Sequence, residues 1–346
     1  MKKKIFYIVL TMVISSAVVV GLFVSSEHIM KTENPFVRRF IPHHIDKAEY
    51  LDLEVNSYYI AGLTNDTIYL GNYTAPLLIT AVPTSLDMKV EHQIKLDETK
   101  RSFRSLMISV HEQEFFVSDG SIPIIYKGNT SDWTAKKYME NKLFFSFFQP
   151  INDTSLLFRT QHASSGEHVL GKLNISGSTT FELYDHALQK QIDGVFDTDG
   201  ILIRDKQTAQ IIYLYSYRNQ YLVYESLTNS FITGTTIDST SIAKIKVTTL
   251  ASGEKKMAAP PQKVNSKSYA YNGSLYILSE LMGKNEPKSM WKQASIIDVY
   301  DYNKNEYLQS FYAYDHDKDK IKEFALNDHY FFGLVGNFLV RYVINK

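Results

Sequence analysis

The chain has 346 residues with 37 Lys plus Arg against 37 Asp plus Glu, so the formal charge is zero and a basic footprint for nucleic acid is missing. It contains no cysteine, which removes disulfides, thiolate metal ligands and cysteine nucleophiles, and which suits export into an oxidising space. Its 24 Tyr and 20 Phe, against 2 Trp, lean towards strands, and the length allows either two average domains or one large β structure.

Lys2, Lys3 and Lys4 precede Ile5 to Val24, a run without charge whose only clearly polar members are Thr11, Ser15 and Ser16. At about 1.5 Å per residue it reaches roughly 30 Å, the thickness of the hydrocarbon layer. Residues 1–26 are therefore expected to be an uncleaved signal anchor, which the length favours, or a signal peptide cut near Val24-Ser25-Ser26. The lysine cluster should stay cytoplasmic and leave the main domain outside, periplasmic or extracellular, or secreted if the segment is cut. No Cys follows the run, so a lipoprotein anchor is not expected.

Residues 27–47 hold Pro35, Pro42 and mixed charge without a clean period, and are expected to form a stalk or a covering segment. His43 and His44 within it are adjacent; on extended chain they point to opposite sides, which argues against a metal pair.

From residue 48 onward strands and turns alternate to the end. Tyr58 to Thr80 sets the pattern: Tyr58-Tyr59-Ile60, a break at Asn65-Asp66, Thr67 to Leu70, a break at Gly71-Asn72, then Leu77 to Thr80. Echoes follow at Glu112 with Phe115-Phe116-Val117, at Asn152-Asp153 with Leu156-Leu157-Phe158, and at Asp199-Gly200 with Ile201-Leu202-Ile203. Two more lie at Asn272-Gly273 with Leu275 to Leu278 and at Asn327-Asp328 with Tyr330-Phe331-Phe332. The intervals are about 47, 40, 47, 73 and 55 residues, against about 40–50 for propeller blades, and the long fourth one contains a Pro-rich, charged excursion at 252–263 with room for an extra half-blade. Two hairpins per period make a four-stranded meander, which buries its faces only against others like itself.

Residues 48–346 thus resemble a β-propeller of six or seven four-stranded blades, nearest in layout to the six-bladed NHL-like group, whose apolar-Asp-x-Tyr strand form is matched by Ile297-Asp298-Val299-Tyr300. The Trp-Asp dipeptide of WD40 blades and the double glycine of kelch blades are absent. The last unit ends at Phe338 to Val343 with almost no chain left, while Glu49 to Leu53 is an alternating strand without a home. The expectation is that this N-terminal strand completes the last blade and closes the ring.

Candidate chemistry is sparse. Asp315-His316-Asp317-Lys318-Asp319 starts like a calcium loop, but Lys320 and Leu326 stand where Gly and Glu are required. Asp193, Asp197 and Asp199 could be paired carboxylates at a channel mouth, though turn formation is the simpler reading. Phe144, Phe145, Phe147 and Phe148 suit an inner strand packed on both faces. Trp133 and Trp291 sit in polar, loop-like surroundings, and the loop 281–293 is the better candidate for a recognition surface. Six Asn-x-Ser/Thr triplets, at Asn65, Asn72, Asn129, Asn152, Asn174 and Asn272, are glycan acceptors or turn chemistry.

Histidines are scattered singly, and no HExxH, GxSxG, GxGxxG or P-loop spacing occurs, so no cofactor or metal is expected; catalytic residues stay unassigned, because a group assembled from distant blades would leave no such motif. The expected function is a membrane-tethered, extracytoplasmic binding or assembly module for a protein or glycan partner. The alternative is a carbohydrate-active hydrolase or lyase with channel-facing carboxylates, distinguished by what lines the channel.

Overall fold

The computed structural model describes residues 2–30, 34–98, 102–176, 179–316 and 319–345. Helix α1 (Lys2–Met30) comes first, and its stretch Lys3–Gly21 is long and apolar enough to cross a membrane. It is followed by β1 (Ile45–Asp52), whose place in the fold is set by the other end of the chain.

The remaining strands form six sheets in chain order. The first has β2 (Tyr58–Leu63), β3 (Thr67–Asn72), β4 (Leu78–Pro83) and β5 (Val90–Gln93). The second has β7 (Met107–His111), β8 (Glu114–Asp119), β9 (Ile124–Asn129) and β10 (Thr134–Glu140), with the short β6 (Lys95–Leu96) added outside β10. The third has β11 (Phe147–Asn152), β12 (Ser155–Gln161), β13 (His168–Asn174) and β14 (Thr180–Tyr184); the fourth has β15 (Gly200–Arg204), β16 (Ile211–Tyr215), β17 (Gln220–Glu225) and β18 (Ser230–Thr235). A separate hairpin, β19 (Val247–Thr249) and β20 (Lys255–Met257), lies in the long connection that follows. The fifth sheet has β21 (Asn265–Tyr271), β22 (Ser274–Ser279), β23 (Ala294–Asp301) and β24 (Glu306–Tyr314); the sixth has β25 (Ile321–Leu326), β26 (Tyr330–Val335) and β27 (Phe338–Ile344). Outside β27 lies β1, antiparallel, with Glu49 opposite Arg341 and Leu51 opposite Leu339.

Side chains alternate along each strand, and here both faces are apolar. On β8, Phe115 and Val117 enter the core shared with the first sheet while Phe116 enters the core shared with the third. On β12, Leu156 and Phe158 face the second sheet and Leu157 the fourth. One core fills each of the six gaps between neighbours, including the gap between the sixth sheet (Ala325, Phe332, Leu334) and the first (Tyr58, Leu63, Leu70). The chain is a six-bladed β-propeller preceded by one apolar helix. The extra half-blade allowed for in the fourth interval is instead the β19–β20 hairpin, which joins no blade.

The fourth blade also corrects the repeat register. In the other echoes the polar turn joins the first strand to the second, but Asp199 precedes the innermost strand β15. The equivalent turn is 205–210, where the fully buried Asp205 accepts hydrogen bonds from Gly273 N (2.8 Å), Tyr302 Oη (2.8 Å) and Gln207 N (2.8 Å), tying this turn to the fifth blade. The interval of about 73 residues therefore measured between two different places in a blade.

The described part of the segment before β1 covers the fifth blade. Phe36 is buried against Val264 and Leu281, and Arg38 inserts beside Asp298. Asp298 belongs to the apolar-Asp-x-Tyr strand, so that aspartate serves the N-terminal segment.

Candidate functional site

A blade of four antiparallel strands puts its second-to-third and fourth-to-first connections at one end, so these loops share one face of the ring. They are also the long ones: 141–146, 162–167, 185–199, 236–264 and 280–293. Neighbouring loops bond to one another, His168 N to Gly194 O (2.8 Å), Phe145 N to Gly120 O (3.3 Å), and the Lys255 ammonium to Asp193 O (2.7 Å). Among the described residues, the connections on the opposite face run from two to six residues.

On the loop face, at the top of the gap between second and third blades, lies a groove of about 630 Å³. Leu143, Phe144, Phe145, Phe158 and, from the outer strand β14, Phe181 and Leu183 give it its apolar lining; Ser146, Thr160, Gln161, His162 and His168 are its polar members. Phe144 is 65 % and Phe181 54 % exposed. The Phe144–Phe148 run is thus only partly the inner-strand core it was expected to be. Strand β11 begins at Phe147, Phe145 and Phe148 pack into the inter-blade core, and Phe144 stays in the connection with its ring out.

Asp193 and Asp197 of the carboxylate cluster bond to one another and to the backbone of their own loop. Asp197 accepts hydrogen bonds from the amides of Gln191, Ile192 (3.1 Å), Asp193 (3.1 Å) and Gly194 (2.6 Å), and Asp193 accepts from Phe196 N (3.1 Å). Burial pushes the Asp193 carboxyl up from its ordinary range. Burial acts on Asp197 in the same sense but is outweighed by the Gln191 amide, the hydrogen bond with the Asp193 carboxyl and the amides of Gly194 and Ile192, which hold it low. Asp199 instead pairs with Arg159 at 2.7 Å. All three carboxylates fix a loop or a strand end.

At the axis, charged side chains cross between blades. Lys206 of the fourth blade donates to Asn65 of the first (3.0 Å) and pairs with Glu112 of the second (3.4 Å). Lys267 and Glu323 pair at 2.7 Å, and Glu323 also accepts Ile60 N at 2.9 Å.

The remaining candidates separate. Trp133 is buried, not a surface anchor: its positive φ of 54° at the β9–β10 turn sends the indole inward against Phe115, His92 and Tyr69. Trp291 is half-buried and donates Nε1 to Glu286 at 2.7 Å. The loop 281–293 is partly covered by the chain itself, since Leu281, Met282 and Gly283 lie under the N-terminal segment. His43 is exposed and 3.4 Å from Asp46, whereas His44 packs on Phe311, so they share no site. Asp315 is held by Ser295 (3.1 Å) and His316 packs at a tilt against Tyr50; Asp317 and Lys318 lie outside the described residues. Among the described residues no group of three or more His, Asp or Glu is placed to hold a metal ion. Four of the Asn-x-Ser/Thr triplets are turns in which the Asn side chain accepts the amide two residues on: Asn72, Asn129, Asn152 and Asn174.

No protein-family model matches the chain, and no curated protein matches it. Among solved structures, a member of the DUF4221 family from Bacteroides vulgatus aligns with a TM-score of 0.53 at 12% identity, covering 91% of this chain and 99% of that one. A candidate exported protein from Bacteroides fragilis aligns at 0.51 and 10% identity, over 91% and 99%. The likeness is one of fold alone. A catalytically inactive virginiamycin B lyase from Staphylococcus aureus aligns at 0.49 and 10% identity, over 86% and 99%, which is too loose to carry an argument. The propeller scaffold is common ground; what this chain does has to be argued from its own loop face.

Proposed function

We propose that this protein is a membrane-tethered, extracytoplasmic β-propeller that acts as a binding or assembly module, taking an apolar segment of a protein partner in the groove between its second and third blades. The observation that carries this reading is the groove itself, an aromatic cleft with Phe144 and Phe181 presented to solvent, on a face where Asp197 and Asp199 are bonded into the fold. Aromatic side chains anchor protein interfaces when a partner covers them, and the lining of the groove is mainly aromatic and aliphatic. Residues 1–26 supply the tether, and the domain extends from the covering segment to the C-terminus.

The test is proximity labelling and cross-linked capture from native membranes, with the full-length chain and its Phe144→Ser/Phe181→Ser variant. The expected result is a defined set of proteins lost by about tenfold or more in the variant, at unchanged melting temperature. Equal capture by both chains, binding on a glycan array that the variant keeps, or turnover of a polysaccharide would each overturn the groove as a protein site.

A further inference from the structure

We propose that the loop face docks on the lipid headgroup layer through the two loops that flank the tether, 236–264 and 280–293; this rests on the tethered reading above. The attachment point is built into the fold. Phe36 is seated among Ile237, Val264 and Leu281, at both ends of one loop and the start of the other. Asn34 N donates to Met282 O at 2.9 Å, and Lys284 N to Phe36 O at 2.7 Å. From Val24, the last residue of the apolar run, six helical residues and four further steps lead to Asn34. At about 1.5 Å and about 3.8 Å each, they reach about 24 Å at full stretch. Blade strands of six residues put the opposite face about 20 Å further off. A tether this short, fixed on the loop face, keeps that face towards the bilayer.

The chemistry of the two loops fits that position. In a chain of zero net charge they expose six lysines: Lys244, Lys246, Lys256, Lys284, Lys288 and Lys292. Of their four acidic residues, Asp238 is buried and bonded to Thr236, and Glu286 is buried against Arg38. The same stretch turns out Ile242, 66 % exposed, and Leu250, 43 % exposed. Lysines around isolated apolar tips are suited to anionic headgroups, with the apolar side chains reaching the acyl boundary. The aromatic groove opens on this face too, so its occupant belongs to a protein at or in the same bilayer.

Because the chain has no cysteine, single-cysteine labelling is clean. The full-length chain carrying Ile242→Cys, Leu250→Cys, Leu227→Cys or Val13→Cys, each with an environment-sensitive fluorophore, is reconstituted in phosphatidylcholine vesicles with or without phosphatidylglycerol. Quenching by a lipid-borne nitroxide is then read. Leu227, 96 % exposed between β17 and β18, marks the opposite face, and Val13 marks the helix. Docking predicts quenching of Val13 in both vesicles, and quenching of Ile242 and Leu250 severalfold above Leu227 when phosphatidylglycerol is present. It also predicts loss of that excess in high salt and on combining Lys244→Gln, Lys246→Gln and Lys256→Gln. If Val13 is quenched while Ile242 and Leu250 match Leu227, the docking is overturned and the tether stands. If Val13 is not quenched, the tether falls and the docking with it. Quenching that ignores both phosphatidylglycerol and the lysines overturns the headgroup contact.

Discussion

Arg38 carries a guanidinium into the fifth blade, where Nε and Nη2 form a two-point contact with Asp298 at 2.7 and 3.0 Å and Nη1 meets Glu286 at 2.6 Å. Burial alone would lower its affinity for a proton, but the two carboxylates and their hydrogen bonds outweigh that and hold it charged. Removing one member of such a pair leaves a buried charge without compensation. Arg38→Ala should therefore cost about 3–5 kcal/mol by urea denaturation, and Arg38→Ala with Asp298→Ala less than the sum of the two single changes. A cost under about 1 kcal/mol would mean that water reaches the pair. Nothing local marks Arg38 among the prolines and charges around it, because both partners lie about 250 residues further along the chain.

At the scale of elements, the strand most exposed to test is β1. It is the outer strand of the sixth blade and the first strand of the chain, so one paired edge joins the two ends. Cutting the chain after residue 33 should leave the melting temperature of the domain nearly unchanged. Cutting after residue 52 should bare the backbone edge of β27, remove Phe36 and Arg38 from the fifth blade, and produce a marked drop in melting temperature with aggregation on size exclusion. Equal stability of the two fragments would show that the ring holds without its N-terminal strand. The strands themselves were legible from apolar-aromatic runs separated by Asn, Asp and Gly. The exceptions have physical reasons: Trp133 looked like a loop residue because its neighbours are polar, yet one residue with positive φ was enough to turn it inward.

Over the whole molecule no blade buries its faces alone, so the ring should unfold as one cooperative unit. Acid should be its weak side. His111 is half-buried, and burial together with the Arg204 charge lowers its pKa from the ordinary 6.5 to about 4; His168 is lowered to about 4 by burial and Arg159. A folded-state pKa below the unfolded one means that the unfolded chain takes up the proton first. Their contribution is complete above about pH 6.5 and is lost as pH falls towards about 4. Between those limits the urea midpoint should fall with pH, and His111→Gln with His168→Gln should flatten that slope. An unchanged slope would place the acid sensitivity in other groups.

The sequence by itself determined what depends on neighbours along the chain: strands from alternation and β-branched or aromatic runs, turns from Asn, Asp and Gly, an apolar helix behind three lysines, and a loose repeat of four-stranded units whose faces bury only against one another. Blade number, the fourth blade's turn at Asp205, the covering role of 34–44 and the groove between Phe144 and Phe181 were decided only by tertiary structure. Each of these joins residues tens to hundreds of positions apart. Periodicity says which face of a strand is apolar, but whether a given ring is covered or left open to solvent depends on which distant segment comes to lie on it.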